Sequence, residues 1–376
     1  MKVLLVVPGT EGRNDILSSV LGAVGESDAM ELVTLDAGSG PLSHEASVLG
    51  FPVHSLGPSA SLTAAVRLRR VIRRTAPDVV QAHGYMAGWV LALSSLAVTS
   101  GPALQTVRHH NLFHHLARSW TGLFRDRFTI RRMDSMVASS SSVGDVLLAE
   151  GCRSGRLTHA TNGRDWSDAP VRTDLDREGG ATDRRRRILA IGNLKIEKDY
   201  PTLLRAVARL VESEHDVEVV IAGTGSASAL AELKNLAAEL RIEDRLVLAG
   251  WVADVFTLIR RVDVVAHVSV DEASPQAVYE AAGIGVPVVA TSSGGIRDIL
   301  GPHQELAPPG DDQMVADMLA AALDDPMVTR RALEIAGDIR HRYSADRCGR
   351  SYLDACRTAV HIRTTGLESL RSPSRD

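Results

Sequence analysis

The chain has 376 residues, 44% of them hydrophobic, which is enough for two domains of ordinary size with separate cores. A formal net charge of −4 argues against a dedicated nucleic-acid binder, and Cys152, Cys348 and Cys356 are too few and too scattered for a disulfide framework or a zinc site. A reducing cytosol is therefore the expected compartment. The apolar run over residues 1–7 stops at Pro8 and Gly9, too short for a signal peptide. The run from Met86 to Val98 is broken by Ser94 and Ser95 and falls short of the ~20 residues that span a bilayer, so no integral membrane protein is expected.

From the N-terminus, Lys2 to Val7 reads as a first strand, followed by the loop PGTEGRND, in which Gly9 and Gly12 make a turn before a helix. This is not the full G-x-G-x-x-G and carries little weight as a dinucleotide fingerprint. Further strands are expected at Met30 to Leu35, Pro52 to Leu56, Asp78 to Ala82, Ala103 to Val107 and Ser135 to Ala138. Helices fall between most of them, the alternation of a mostly parallel, doubly wound sheet. The segment Leu62 to Arg74 reads as a helix with Val66, Leu68, Val71 and Ile72 on its buried side and five arginines around it. A solvated face explains such a charge run more simply than a bed on anionic lipid. Histidines sit past two strand ends, where doubly wound sheets bind ligands: His83 after Ala82, and His109, His110, His114 and His115 after Val107. No carboxylate or cysteine completes a metal site beside them, so no metal is expected. Between Phe113 and Arg132 aromatic and arginine residues interleave, which suits a membrane surface, a lipid-linked acceptor or a helix docked on its own sheet.

Residues 158–166, THATNGRDW, hold the turn formers Asn162 and Gly163, and the polar stretch 166–187 reads as a linker. Asp174-Leu175-Asp176 spells D-x-D, but within a linker chance explains it. Ile188 to Ile191 opens a second domain, and a loop holding Asn193, Lys195 and Lys198 then runs into an amphipathic helix. Val217 to Ala222 leads to Gly223-Thr224-Gly225, and Leu246 to Ala249 leads to Gly250-Trp251-Val252. The apolar runs Val262 to Val268 and Val286 to Ala290 suit buried parallel strands. Between them Ser274 is a natural N-cap and Pro275 a natural first helical residue, which leaves the N–H groups of Gln276, Ala277 and Val278 open to a phosphate. Glu272 precedes this helix, and Glu280 shares a face with Gln276. Ala277 and Gly283 beside Glu280 are small enough to admit a ligand closely. Taken alone, two such carboxylates are more often a solvated pair than a site. Ala345 to Ile362 reads as a long helix, with a polar tail after it.

Glu272, Glu280 and the run Ala282, Gly283, Gly285, Pro287 to Thr291, Gly294 and Gly295 resemble the Glu-x7-Glu signature block of the retaining glycosyltransferases of family 4, glycosyl transferases group 1. The segments at Asn162, Lys198, Gly223 and Gly250 follow in that family's order. The resemblance implies an α/β fold of GT-B type, two Rossmann-like doubly wound domains facing across a cleft. The acceptor domain would cover residues 1–165, the linker 166–187 and the nucleotide-sugar domain 188–344; a C-terminal helix over 345–362 would cross back to the first domain, before a polar tail over 363–376. It implies transfer of a hexosyl group from a nucleotide-diphospho-sugar to a hydroxyl of a glycan, lipid-linked or small-molecule acceptor, with retention of configuration and with neither divalent metal nor cofactor. The leaving diphosphate would help to deprotonate the acceptor. 

Residue roles follow from the matched positions. Lys198 would hold the diphosphate, with Asn193 standing where the family has an arginine. His109, and after it His110, match the histidine that reaches the donor sugar; Glu272 would face the sugar and Glu280 the ribose. Ser274, Gln276, Ala277 and Val278 would receive the phosphates, and Gly223, Gly225 and Val252 would border the nucleotide. Gly9, Gly12, His83 and His110 would shape the acceptor side, Gln81 replacing the first histidine of the family's H-x-H. Two alternatives stay open, a sugar-nucleotide epimerase on the same fold and a non-catalytic sugar-nucleotide-binding subunit, the latter favoured by the missing arginine. The expected location is the cytoplasm, with peripheral contact at the inner face of the membrane for a lipid-linked acceptor, and no nucleic-acid partner.

Overall fold

The computed structural model of the protein describes residues 1–11, 14–25, 27–97, 101–111, 119–169, 171–173 and 185–366. The chain folds into two compact units, Met1–Asp165 with Tyr343–Asp376, and Trp166–Arg342.

The first unit is built on one parallel sheet of seven strands in the order β3-β2-β1-β4-β5-β6-β7. These are β1 (Lys2–Val7), β2 (Ala29–Thr34), β3 (Val53–Ser55), β4 (Val79–His83), β5 (Ala103–Arg108), β6 (Ser135–Ala138) and β7 (Leu157–His159). Val3 of β1 registers against Met30 of β2 on one side and Val79 of β4 on the other, so the strand order reverses between β1 and β4. Both strands are buried along nearly their whole length, which is why they read as unbroken apolar runs. β7 has no such run. It is Leu-Thr-His at the sheet edge, partly exposed, and the period rules have nothing to register there.

The helix Ala345–Thr365 packs into the core of this unit through Cys348, Tyr352, Leu353, Cys356 and Ala359. Gly349 permits its approach to the helix Asp15–Gly22, since an added Cβ would lie 2.2 Å from the Ser19 carbonyl oxygen. Asn162 and Gly163, expected as turn formers, serve this packing instead. Asn162 Oδ1 accepts from the Tyr352 hydroxyl at 2.8 Å, and a Cβ on Gly163 would lie 2.5 Å from the Ser344 carbonyl oxygen. The cysteines are buried free thiols, and burial pushes Cys348 up to about 12 and Cys152 up to about 11, which leaves neither reactive at neutral pH. The basic helix runs over Ser61–Thr75 and buries Ala64, Ala65 and Leu68, while Val66, expected inside, is 53% exposed. Two residues apart means about 200° around a helix, so Val66 and Leu68 do not share a face. Phe128 of the helix Trp120–Arg132 meets Trp89 edge-on, but Trp120 and Phe124 stay exposed. Among the described residues no helix is long and apolar enough to cross a membrane.

The second unit holds a five-stranded parallel sheet in the order β10-β9-β8-β11-β12, with β8 (Arg186–Ile191), β9 (Val217–Ala222), β10 (Leu246–Gly250), β11 (Val264–His267) and β12 (Val288–Ala290). Its order reverses between β8 and β11. The residues read as the start of a linker belong to this unit. Trp166 is buried with the Arg340 guanidinium 5.1 Å over its ring, and Arg172 donates from its backbone N–H to Ile284 at 2.7 Å and from its guanidinium to the Val262 carbonyl at 2.9 Å. Gly283 makes room for the indole: an added Cβ would lie 2.4 Å from Trp166 Cη2. Its smallness serves the core and not ligand approach. Asp174-Leu175-Asp176 lies outside the described residues.

Candidate active site

In the second sheet the loops leaving the carboxyl ends of β8 and β11 meet at the reversal of strand order, where open α/β sheets place their ligands. One loop turns through Ile196–Lys198; the other runs from His267 to Glu272. A backbone hydrogen bond from Val270 N–H to the Glu197 carbonyl, 2.8 Å, ties them. Beside this tie the Lys198 ammonium donates to Glu272 Oε1, with side-chain exposures of 19% and 14%. The same oxygen lies 3.1 Å from His267 Nε2 and accepts from the Ser269 hydroxyl at 3.2 Å. Thr291 fixes that loop from β12, its hydroxyl donating to the Ser269 carbonyl at 2.6 Å. Burial holds His267 below its usual pKa, so it is neutral at pH 7 and Lys198 supplies the charge. Burial pushes Glu272 upward, but the His267 hydrogen bond and the ammonium more than offset this, and Glu272 falls to about 2. Gly192, at φ +152°, clears the path of the lysine, because an added Cβ would lie 2.9 Å from Lys198 Cε.

The helix after Glu272 spans Gln276–Ile284, and its N-cap is Pro275, not Ser274. Pro275 keeps an extended backbone and its carbonyl accepts from Val278 N–H at 3.2 Å, which is the geometry of a cap and not of a first helical residue. The Val278 N–H is therefore used, and the expected anion cradle reduces to the N–H groups of Gln276 and Ala277. Every residue from Ala277 to Ile284 is buried, Glu280 included at 7% exposure, so Glu280 is not a solvated helix glutamate. Asn193 does not replace the arginine. Its Oδ1 accepts from Thr224 N–H at 3.3 Å and from the Thr224 hydroxyl at 3.0 Å, bracing the Gly223–Gly225 loop. Both glycines are demanded by packing there, with added Cβ atoms 1.9 Å from the Gly192 carbonyl oxygen and 2.6 Å from Leu194 Cβ. Lys195 is exposed, 3.9 Å from Glu197, and Val252 follows β10 half-buried behind an exposed Trp251.

In the first unit β4 ends in His83, and His109 follows β5. His83 Nδ1 lies 3.2 Å from His109 Nε2, and the rings stack with centroids 5.4 Å apart. On its other side His83 Nε2 lies 2.9 Å from Gln81 Oε1; Gln81 Nε2 donates to Gln105 Oε1 at 2.7 Å, and Gln105 Nε2 to the Ala355 carbonyl at 2.8 Å. This chain assigns every proton in turn. The Gln81 oxygen accepts, so His83 Nε2 carries the hydrogen; His83 Nδ1 then accepts from His109 Nε2–H, and His109 Nδ1 is left as an acceptor without a partner among the described residues. Burial keeps both rings neutral at pH 7, with His109 lowered by burial and then by His110 to about 4. Gln81 thus stands in place of a histidine as the residue that sets the tautomer.

Arg108, the last residue of β5, is buried. Its guanidinium pairs with Glu150, with Nη2 3.2 Å from Oε1, and donates to the carbonyls of His110 at 3.0 Å and Asn111 at 2.8 Å. Asp126 Oδ2 lies 3.6 Å from Arg108 Nη2 and 3.7 Å from His110 Nε2, which joins His110 to this cluster. After β1, Gly9 precedes Thr10, whose N–H donates to Asp36 Oδ2 at 2.6 Å. Gly12, His114 and His115 lie outside the described residues. His267, Ser269 and Asp36 were missed in the sequence. A polar residue closing an otherwise apolar strand at its carboxyl end was the signal for His267. Among the described residues no group of His, Cys, Asp and Glu is arranged to hold a metal ion.

Comparison with known proteins bears on the family and the fold. The family described as Glycosyl transferases group 1 matches residues 171–339, and Glycosyltransferase Family 4 matches residues 29–167. Both halves of the chain match glycosyltransferase families. The 2-deoxystreptamine glucosyltransferase of Streptomyces kanamyceticus is 26% identical over 292 residues, 71% of this chain and 73% of the relative. The glycogen synthase of Mycobacterium tuberculosis is 26% identical over 302 residues, 76% of this chain and 70% of the relative. Anabaena HepE in complex with UDP superposes with a TM-score of 0.79 at 18% identity, covering 95% of this chain and 100% of HepE. Sucrose-phosphate synthase of Thermosynechococcus elongatus gives 0.78 at 15% identity over 96% of this chain and 99% of its own. The fold is GT-B, with two Rossmann-like domains. In the second unit Glu272 stands in the loop before the helix Gln276–Ile284, Lys198 reaches it from the loop after β8, and Gly295 donates its N–H to the Glu272 carbonyl at 3.3 Å.

Proposed function

We propose that the protein is a retaining, metal-independent hexosyltransferase that moves a sugar from a nucleotide-diphospho-sugar to a hydroxyl of a glycan or lipid-linked acceptor, without a cofactor, at the cytoplasmic face of the membrane. The observation that carries this reading is the mostly buried Lys198–Glu272 pair in front of the helix Gln276–Ile284. An arriving diphosphate takes over the ammonium and adds the N–H groups of Gln276 and Ala277. At ~4 Å and intermediate dielectric an ammonium and a phosphate charge attract by ~4 kcal/mol before desolvation, against ~0.3–2 kcal/mol for a helix start. Lys198 is thus the main stabiliser of charge developing on the leaving group. Glu272, released by Lys198, stays ionised and accepts a hydrogen bond from a sugar hydroxyl, while Glu280 takes the ribose. The role of His109 as the histidine that reaches the sugar rests on the family resemblance. HepE has been solved with UDP-glucose, which makes UDP sugars the first donors to try. Retention and independence of metal rest on the family resemblance.

A second reading, a non-catalytic sugar-nucleotide-binding subunit, is favoured by Asn193, whose engagement with Thr224 leaves one of the family's two phosphate-binding cations unreplaced. Thermal stabilisation by UDP, GDP, ADP and dTDP sugars identifies the donor. Incubation of that donor with acceptor extracts, followed by NMR of the product anomer, then decides. A product of retained configuration supports the transferase; binding without turnover on any acceptor supports the second reading; an epimerised sugar released without acceptor overturns both.

A further inference from the structure

At the amino ends of β4, β5 and β6, the end of the first sheet opposite His83 and His109, lies a cavity of about 660 Å³. Pro77, Pro102 and Met133, each just before one of these strands, form part of its wall. Six arginines line it: Arg69 and Arg73 from the helix Ser61–Thr75, Arg131 and Arg132 from the helix Trp120–Arg132, Arg156 from the turn before β7, and Arg363 from the C-terminal helix. The carboxylate among the described lining residues, Asp134, is engaged, accepting from Leu104 N–H at 2.9 Å and facing Arg363 at 3.3 Å. Arg132 donates to the Ser95 hydroxyl at 3.1 Å and carbonyl at 2.8 Å, and Arg156 to the Met133 carbonyl at 3.5 Å. Neutral acceptors of this kind orient a guanidinium and leave its charge in place.

Arginines in the last turn of a helix complement its dipole, which accounts singly for Arg73, Arg131, Arg132 and Arg363, the last of which also faces Asp134. It does not account for all of these last turns opening on one concavity, nor for Arg69 and Arg156 lining it from other positions in the chain. Like charges around a cavity repel one another, and field lines focus there, so a bound anion converts the repulsion into attraction. Guanidinium forks match phosphate oxygens two at a time. The volume falls in the ~300–1,000 Å³ range of small-molecule sites and exceeds the need of a lone phosphate. We propose that this cavity is a second anion site, for a ligand bearing two or more phosphate charges on a larger body. Free phosphate esters and phospholipid headgroups share that chemistry. The site uses no residue of the donor reading and stands or falls without it.

The test titrates the full chain with inorganic pyrophosphate by calorimetry, comparing Arg73→Glu/Arg131→Glu with the control Arg70→Glu/Arg74→Glu. The control carries the same charge change on exposed residues outside the cavity, and circular dichroism verifies that both variants fold. Binding should weaken about tenfold per lining arginine removed and change little in the control. No pyrophosphate binding together with no vesicle binding, or equal losses in both variants, overturns the site. Co-sedimentation with phosphatidylcholine vesicles, with and without phosphatidylglycerol, identifies the source. Loss of the anionic-vesicle preference in the cavity variant alone assigns a lipid headgroup, whereas pyrophosphate binding without vesicle preference assigns a soluble ligand.

Discussion

Removing the Lys198 ammonium separates two tasks that one side chain performs. It faces Glu272, which also touches His267 and Ser269. In Lys198→Ala the carboxylate keeps those two neutral partners and loses its cation. Leaving a charged group under-satisfied costs about 1–3 kcal/mol, less than the roughly 3–5 kcal/mol of a fully buried pair. The residual exposures of 14% and 19% let water in, which justifies the lower range. The variant therefore folds with a lowered Tm. Turnover suffers more selectively. If desolvation cancels half of the ~4 kcal/mol attraction for a phosphate, about 2 kcal/mol remain, or roughly a 30-fold loss in kcat/KM. Adding Glu272→Gln removes the stranded charge, so the double variant should regain Tm without regaining turnover. Thermal melts and initial rates of donor consumption measure the two effects side by side. Near wild-type turnover in Lys198→Ala would refute the reasoning, and recovered turnover in the double variant would show that the lysine merely neutralises Glu272.

The same carboxylate predicts an acid limb. Its folded pKa, about 2, lies below the ordinary 4.5, so the stability it contributes is complete above pH 4.5 and lost as pH falls toward 2. Glu272→Gln should have a flatter stability profile across that window, and equal slopes in acid denaturation would contradict the assignment. Gly283→Ala sets two effects against each other. Helix propensity favours alanine by about 1 kcal/mol, but a Cβ 2.4 Å from Trp166 should cost about 1–3 kcal/mol in overpacking. The Tm should fall, and a rise would mean that the indole is not where it is described. Arg108→Met strands Glu150, whose side chain is 4% exposed, at a cost of about 3–5 kcal/mol, with partial recovery on adding Glu150→Gln. An unchanged urea midpoint would show that the cluster holding His110 carries no stability.

The strands that form the middle of each sheet were legible because burial on both faces leaves an unbroken apolar run, and the acidic loop before the signature helix was legible because its residue types recur in a known order. Other features depend on what lies across space. Ser274 has the chemistry of a cap and Pro275 that of a first helical residue, yet the path of the chain from β11 puts the cap one residue later. Gly283 and Gly163 looked like ligand-facing or turn glycines until Trp166 and Ser344 were seen beside them. Gln81 looked like a lost histidine until its amide was seen linking His83 to Gln105.

Residue order by itself determined which side chains stand at strand ends, since burial demands an apolar period and lets polar groups in only where a strand stops. Lys198 and Glu272 are 74 positions apart, and no period connects them. Their meeting was decided by the tertiary structure alone, through the hydrogen-bonded neighbouring of β8 and β11, which brings two distant loops to one edge and fixes which charge each carboxylate faces.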